Sequence, residues 1–196
     1  MVIGTTFVWA HLPKAAGDAT LGLFRHFPEI VVSADDARSP SKHRRFGAPD
    51  VPVDGLIRVM NIRRLPSWLL SYAFHRVRGE GLATGSMSKR DLDLILGDAD
   101  ADGKLVGFCD GGRLPVDRWL RVEHLEDDFL DFVATVTDVS SRQRRLVGRA
   151  VKANTNTYDR RVDTWFTPEE VAALYQRNPV WAAVEREVYG EVPGPA

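Results

Sequence analysis

Continuously apolar runs alternate along this chain with stretches whose apolar positions recur at helical spacing. Thr6-Phe7-Val8-Trp9-Ala10 is a short run of the kind that forms a strand buried on both faces. With the residues before it, it reads as one first strand. From Asp18 to Phe27, Leu21, Leu23, Phe24 and Phe27 share a side, which predicts a helix. Ile30-Val31-Val32 predicts a second short strand, and Leu56 to Ile62 (LIRVMNI) forms the best strand pattern in the chain. Pro66 suits the first turn of a following helix, with Leu69, Leu70, Ala73 and Phe74 as its stripe. Trp119 to Val122 predicts a further strand, and Phe129 to Val136 a further helix. Thr167-Pro168-Glu169-Glu170 carries a cap, a proline at the first helical position and a glutamate three residues after the cap. Asn178-Pro179 opens a last helix with Trp181, Val184 and Val188 on one face. Ser33 to Asp54 is polar and reads as an exposed loop with a turn of helix. Gly79 to Gly112 is the least patterned stretch, with one helix at Lys89 to Leu96. Strands alternating with helices predict one α/β domain over residues 1–196, its mostly parallel sheet covered on both sides.

Composition narrows the function classes. A chain of 196 residues has room for one well-buried domain, and a net charge of −1 supplies no general attraction for nucleic acid or membrane. A single cysteine, Cys109, excludes an internal disulfide framework and a multi-cysteine zinc site. The apolar start lacks a basic leader region and is too short to cross a bilayer. These features together give a cytoplasmic expectation with no membrane span. Arginine outnumbers lysine and is the better bidentate partner for phosphate, so local anion sites remain open.

The stretch His11 to Phe24 (HLPKAAGDATLGLF) carries the first candidate chemistry. A strand that ends and turns at once into a helix aims unpaired N–H groups at one point, with the helix dipole behind them. Ala15, Ala16 and Gly17 let backbone approach an anion closely, and Lys14 adds a charge. The bland reading is a tight turn with a surface lysine. Here the lysine precedes the glycine, so this is not a Walker A loop, which counts against an ATP-dependent kinase. Arg63 and Ser71 lie eight residues apart, across a strand end and the first turns of the next helix. In a doubly wound sheet they would share the ligand-binding edge with Lys14. An arginine and a helical hydroxyl make a donor pair for a second phosphate.

Together these segments resemble the PAPS-dependent sulfotransferases. HLPKAAGDATL resembles the family's H-x-P-K-[TS]-G-G-T-[ST] segment, which holds the 5′-phosphosulfate. NIRRLPSWLLSYAFH resembles its R-[DN]-P-x-x-R-x-x-S-x-[YH] segment. VDRWLRVEHLEDDF and FTPEEVAALYQRNPVWAAVEREVYG resemble the family's later strand–helix and C-terminal segments. The likeness is to the carbohydrate branch and its compact bacterial members, and covers most of the chain except Gly79 to Gly112. It implies a P-loop-like, doubly wound fold that takes PAPS and releases PAP, with no metal. Lys14, Ala15, Ala16, Gly17, Asp18, Ala19 and Thr20 would hold the phosphosulfate, and Arg63 and Ser71 the 3′-phosphate. Lys152, Asn154 and Arg160 fall where the family has a loop over the cofactor. Three positions depart from the pattern. Ala15 replaces a hydroxyl residue, Ala16 a glycine and Asp18 a hydroxyl residue. Asp18 is expected to cap the helix from outside the turn, with Thr20 supplying the hydroxyl.

Sulfuryl transfer needs a cation at the transferring group, an anchor for the nucleotide and a base for the acceptor. Lys14 with the N–H groups of Ala16 and Gly17 fits the first role. SKHRRFG resembles the family's G-H-x-x-[FY]-G stretch, which makes His43 the base, with Glu123 and Asp36 in reserve. His11 is expected to fix the strand end, His75 to sit on a helix surface, and His26 and His124 to be structural. Arg44, Arg45, Arg160 and Arg161 are candidates for an anionic acceptor or for solvated surface. Asp98 to Gly103 matches half of an EF-hand loop, but position twelve is Cys109, so it reads as an acidic turn. The acceptor is expected to be a hydroxyl or an amine of a small molecule, a sugar or a lipid, and the sequence leaves oligomeric state open. A non-catalytic nucleotide-binding relative is the rival reading.

Overall fold

The structure is a computed structural model describing residues 1–36, 38–79, 87–151 and 159–192. Its contacts divide the chain into two compact units, Met1–Ile62 with Val106–Thr155, and Arg63–Leu105 with Asn156–Ala196.

The first unit is α/β. Five strands, β1 (Val2–Gly4), β2 (Phe7–Ala10), β3 (Val31–Ala34), β4 (Ile57–Ile62) and β5 (Arg118–Arg121), form one sheet in the order β3-β1-β2-β4-β5. β2, β4 and β5 pair in parallel, whereas β1 runs antiparallel to both β2 and β3. The sheet is therefore mixed rather than mostly parallel. The single first strand expected from the sequence is two, because exposed Thr5 and Thr6 interrupt the apolar run and the Thr5 N–H turns away to the Ile30 carbonyl at 3.0 Å. Gly4 is needed at the end of β1, since a Cβ there would fall inside the Phe7 ring. All four residues of β2 are buried, as a central strand covered on both faces requires. The edges carry charge or lie open: β5 begins with exposed Arg118, and Val32 on β3 is 68% exposed.

Helices α1 (Gly17–Phe24), α5 (Leu125–Ala134) and α6 (Ser141–Val151) close this core, with α6 packed on α1 and α5. Phe7 stacks on Phe24 at 5.4 Å and meets Phe132 edge-on at 5.1 Å, while Phe24 meets Phe129 edge-on at 5.0 Å. The sequence pattern starts α5 four residues late and misses α6, whose Arg-rich SRQRRLVGRAV holds its few apolar residues in its second half, Leu146 and Val147 among them.

The second unit is helical: α2 (Leu65–Gly79), α3 (Lys89–Gly97), α7 (Val162–Trp165), α8 (Pro168–Arg177) and α9 (Pro179–Tyr189), with the start of α4 (Ala101–Phe108). Trp68 of α2 lies between Tyr72 (5.4 Å, parallel) and Trp181 of α9 (4.9 Å). Capping boxes at Ser88/Asp91 and Thr167/Glu170 start α3 and α8, the second as the sequence predicts. The acidic run at Asp98 is a pair of helix caps. Asp100 accepts the Gly103 N–H at 2.7 Å to start α4. Asp102 accepts the N–H groups of Val180 and Trp181, at 2.9 and 2.8 Å, at the start of α9. No helix of the described residues is long and apolar enough to cross a membrane.

Candidate anion-binding turn

β2 ends at Ala10, and the chain needs only six residues to start α1 at Gly17. Leu12 to Ala15 close a turn through the Ala15 N–H and the Leu12 carbonyl at 3.3 Å. Pro13 takes its second position, with φ already fixed, and Lys14 its third, at φ 66°. Ala16 then caps α1 at φ 57°, again left-handed. Two non-glycine residues in this region within three positions are uncommon, and such backbone concentrates at binding sites. Ala16 thus holds a backbone conformation that glycine adopts at no steric cost.

The first helical bond runs from the Thr20 N–H to the Ala16 carbonyl at 3.0 Å. The N–H groups of Gly17, Asp18 and Ala19 precede it and have no acceptor within the helix. No side chain caps α1. The expected cap from Asp18 does not form; its Oδ1 instead accepts from Lys42 Nζ at 3.0 Å. Thr20 is also not where the sequence reading put it. It is fully buried, donating its hydroxyl to the Ala16 carbonyl at 3.2 Å and accepting from Asn61 Nδ2 at 2.8 Å. Asn61 Oδ1 in turn accepts the Trp9 indole N–H at 2.7 Å. This buried chain of bonds fastens the start of α1 to β2 and β4, and every polar atom in it that could be orphaned has a partner. Its signal in the sequence is the lone amide in the best apolar strand, LIRVMNI.

Beneath the turn lies His11, 4% exposed, and a Cβ on Gly17 would fall inside its imidazole. Glycine is thus required at the first residue of α1 to admit that ring. His11 Nδ1 is buried with no hydrogen-bond partner. Burial, with the adjoining His43 ring as a smaller cause, lowers the His11 pKa to about 3, so the ring is neutral.

His43 ends a short 3-10 turn, Pro40–His43, and its ring lies 4.5 Å from that of His11. Its Nδ1 is 3.0 Å from the His11 carbonyl. A carbonyl only accepts, so Nδ1 carries the proton and Nε2 keeps the lone pair. Burial lowers the His43 pKa, opposed by this bond. Neighbouring Arg44 is gripped by Asp35 at 2.9 Å and Asp50 at 2.6 Å, which holds the segment in place. The structure therefore brings Lys14, the open start of α1, His11, Lys42 and His43 into one neighbourhood of the first unit.

The remaining candidates lie in the second unit or elsewhere. Arg63 follows β4, is half-buried, and its carbonyl accepts the Trp181 indole N–H at 3.1 Å. Ser71 is half-buried on α2. Arg64, which the sequence reading did not single out, bonds Glu185 and lies 4.0 Å over the Tyr189 ring. Arg160 is exposed, Arg161 pairs with Asp159 at 2.8 Å, and Lys152 and Asn154 lie outside the described residues. Of the reserve bases, Glu123 is exposed and Asp36 accepts the Arg38 N–H at 2.7 Å. His75 and His124 are exposed, and the His26 carbonyl accepts from Gln143 at 3.1 Å. No cluster of metal-ligating side chains occurs among the described residues. A groove of about 370 Å³ at the amino ends of β4 and β5, lined by Val53, Gly55, Arg58 and Asp117, contains none of the candidates. Neither does one of about 240 Å³ between Leu96 and Leu174.

No family model, curated protein or solved structure matches this chain.

Proposed function

We propose that this protein is a PAPS-dependent sulfotransferase whose turn at residues 11–20 receives the 5′-phosphosulfate. The observation that carries the reading is the uncapped start of α1, shaped by left-handed Lys14 and Ala16, with neutral His43 fixed nearby. The order of the sequence segments supports it independently. A doubly wound, P-loop-like fold belongs to the same reading.

The chemistry is an in-line displacement. The acceptor hydroxyl oxygen attacks sulfur, and the bond from sulfur to the bridging phosphate oxygen breaks. His43 Nε2 takes the hydroxyl proton, and PAP leaves. Lys14 and the N–H groups of Gly17, Asp18 and Ala19 stabilise charge on the sulfuryl and leaving oxygens. Arg63 and Ser71 are assigned to the 3′-phosphate by the resemblance. The acceptor is a hydroxyl of a small molecule, sugar or lipid.

One observation favours a rival in which nucleotide binds without turnover. Ala15 has no hydroxyl and the Thr20 hydroxyl is engaged in the core, so the turn lacks the hydroxyl donors of the family pattern. Calorimetric titration with PAP, with AMP as control, tests the reading. Binding of PAP but not AMP, lost in Arg63→Ala, is expected. No binding of PAP at millimolar concentration overturns it. His43→Ala then separates the rivals, because an enzyme loses transfer while retaining PAP affinity, and the non-catalytic relative shows no transfer to lose.

A further inference from the structure

Asp18 is the residue least suited to this turn. It sits in the first turn of α1 between Gly17 and Ala19, beside the N–H groups assigned to the phosphosulfate. An unbalanced carboxylate there repels an incoming anion. Yet the turn does not present one. Lys42 places Nζ 3.0 Å from Asp18 Oδ1, with the lysine side chain 20% exposed and the aspartate 56%. Such pairs are usually worth little when both partners are free to wander. This one is built on a fixed base, because His43 is bonded to the His11 carbonyl and Arg44 is held by two carboxylates. The backbone that carries Lys42 is therefore held beside the start of α1, so Nζ reaches Asp18 by side-chain rotation alone. At the same place His11, 4% exposed, lies against Gly17 with its Nδ1 unpartnered.

We infer that Lys42 is a positioning residue of the anion site, acting through Asp18: it neutralises that carboxylate so that the start of α1 accepts a polyanionic nucleotide. This rests on the sulfotransferase reading and extends it. The hydroxyl that the family pattern has at this position is replaced, functionally, by a neutral pair of side chains drawn from two segments. The pair is invisible in the sequence, which offers Asp18 only as a helix cap.

PAP binding by calorimetry to wild type, Lys42→Met, Lys42→Arg, Asp18→Asn and the Lys42→Met/Asp18→Asn double variant tests this, with thermal unfolding as a check of fold. Lys42→Met should weaken PAP about tenfold, the effect of one uncovered charge near a polyanion. Lys42→Arg should bind within about twofold of wild type, since it keeps the charge. Asp18→Asn should bind at least as tightly as wild type, and the double variant should regain that affinity. Wild-type affinity in Lys42→Met overturns the inference. So does a double variant as weak as Lys42→Met, which would make Lys42 a direct ligand or a structural prop. Should Lys42→Met fail to fold, weakened binding in Asp18→Asn overturns it instead. Absence of PAP binding by wild type defeats the sulfotransferase reading and this inference with it. Wild-type binding that is lost in Arg63→Ala but indifferent to Lys42 defeats the inference alone.

Discussion

Helix α1 in the first unit and helices α2 and α9 in the second treat their first turns in opposite ways. At α2 the Leu65 N–H is taken by Glu185 Oε1 at 2.6 Å, and at α9 two N–H groups are taken by Asp102. Both carboxylates come from a distant part of the chain and plug the helix start, Glu185 fully buried and Asp102 half-buried. At α1 the nearest carboxylate, Asp18, is turned outward to Lys42, and no side chain caps the helix. A helix start filled by a carboxylate is structural, with its dipole already satisfied. The start of α1 is left uncapped beside left-handed Lys14 and Ala16, and under the reading proposed above its N–H groups are the ones that take the phosphosulfate. α5 also starts without a side-chain cap, but Glu126, Asp127 and Asp128 occupy its first turn.

Removing the plug of α2 should be the largest effect. Glu185 is fully buried and accepts from the Leu65 N–H, the Tyr175 hydroxyl at 3.0 Å and Arg64 at 3.3 Å. Glu185→Ala removes a fully buried acceptor shared by three donors, leaving Arg64 its bond to the Glu191 carbonyl at 2.7 Å, and should cost about 3–5 kcal/mol, measured by urea unfolding. A loss below about 1 kcal/mol would make the plug dispensable and break the contrast.

Next comes the support of the open start. Gly17→Ala would drive a methyl into the His11 ring, which has no room to withdraw because it is buried between Trp9 and His43. A loss of roughly 3 kcal/mol is expected, the upper range of overpacking, together with loss of PAP affinity. If stability falls while PAP affinity stays, the turn is not the binding element.

How much of this was legible follows from range. The helix starts at Thr167 and Asn178 and the strand LIRVMNI are local patterns, and the structure has them where the sequence puts them. The positive φ at Ala16 has no signal in the local sequence, because alanine rarely adopts it. What escaped was nonlocal or cryptic. The plugs at α2 and α9 join residues 120 and 78 positions apart, and no spacing rule reaches that far. Lys42 and Asp18 meet across 24 positions, so a helix cap is expected of Asp18 where the structure has an ion pair. The split of the first strand turned on where one N–H found its acceptor, across the sheet at Ile30.

The two regions should also answer acid differently. His11, with its pKa lowered to about 3, and His43, also lowered, are neutral in the folded first unit and take up protons near pH 6.5 when it unfolds. Their contribution is fully present above pH 6.5 and is lost as pH falls from there toward the folded values, about 2 kcal/mol from His11 alone by pH 5. Glu185 carries the opposite shift, since burial raises its carboxyl above the usual 4.5. Its contribution is kept in acid and lost as pH rises through the raised value. Hydrogen exchange at pH 7 and pH 5, corrected for intrinsic rates, should therefore show β2 and α1 losing protection while α2 and α9 keep theirs. Equal losses in both regions would mean that the histidine pair does not govern the turn.

The smallest effect tests the turn's shape directly. Ala16 sits at φ 57° and ψ 25°, where an L side chain costs about 1–2 kcal/mol relative to its preferred region. Glycine removes that strain but loses about 0.5–1 kcal/mol through the greater freedom of the unfolded chain. Ala16→Gly should therefore gain about 0.5 kcal/mol, seen as a higher urea midpoint at unchanged slope. PAP affinity should hold or improve, because the same backbone conformation is reached with more room above it. The opposite sign would be informative in a different way. If glycine loosened the turn and weakened PAP together, the Ala16 methyl, half-buried against the core, would be holding the start of α1 in its open form, and packing rather than backbone preference would set the shape of the site.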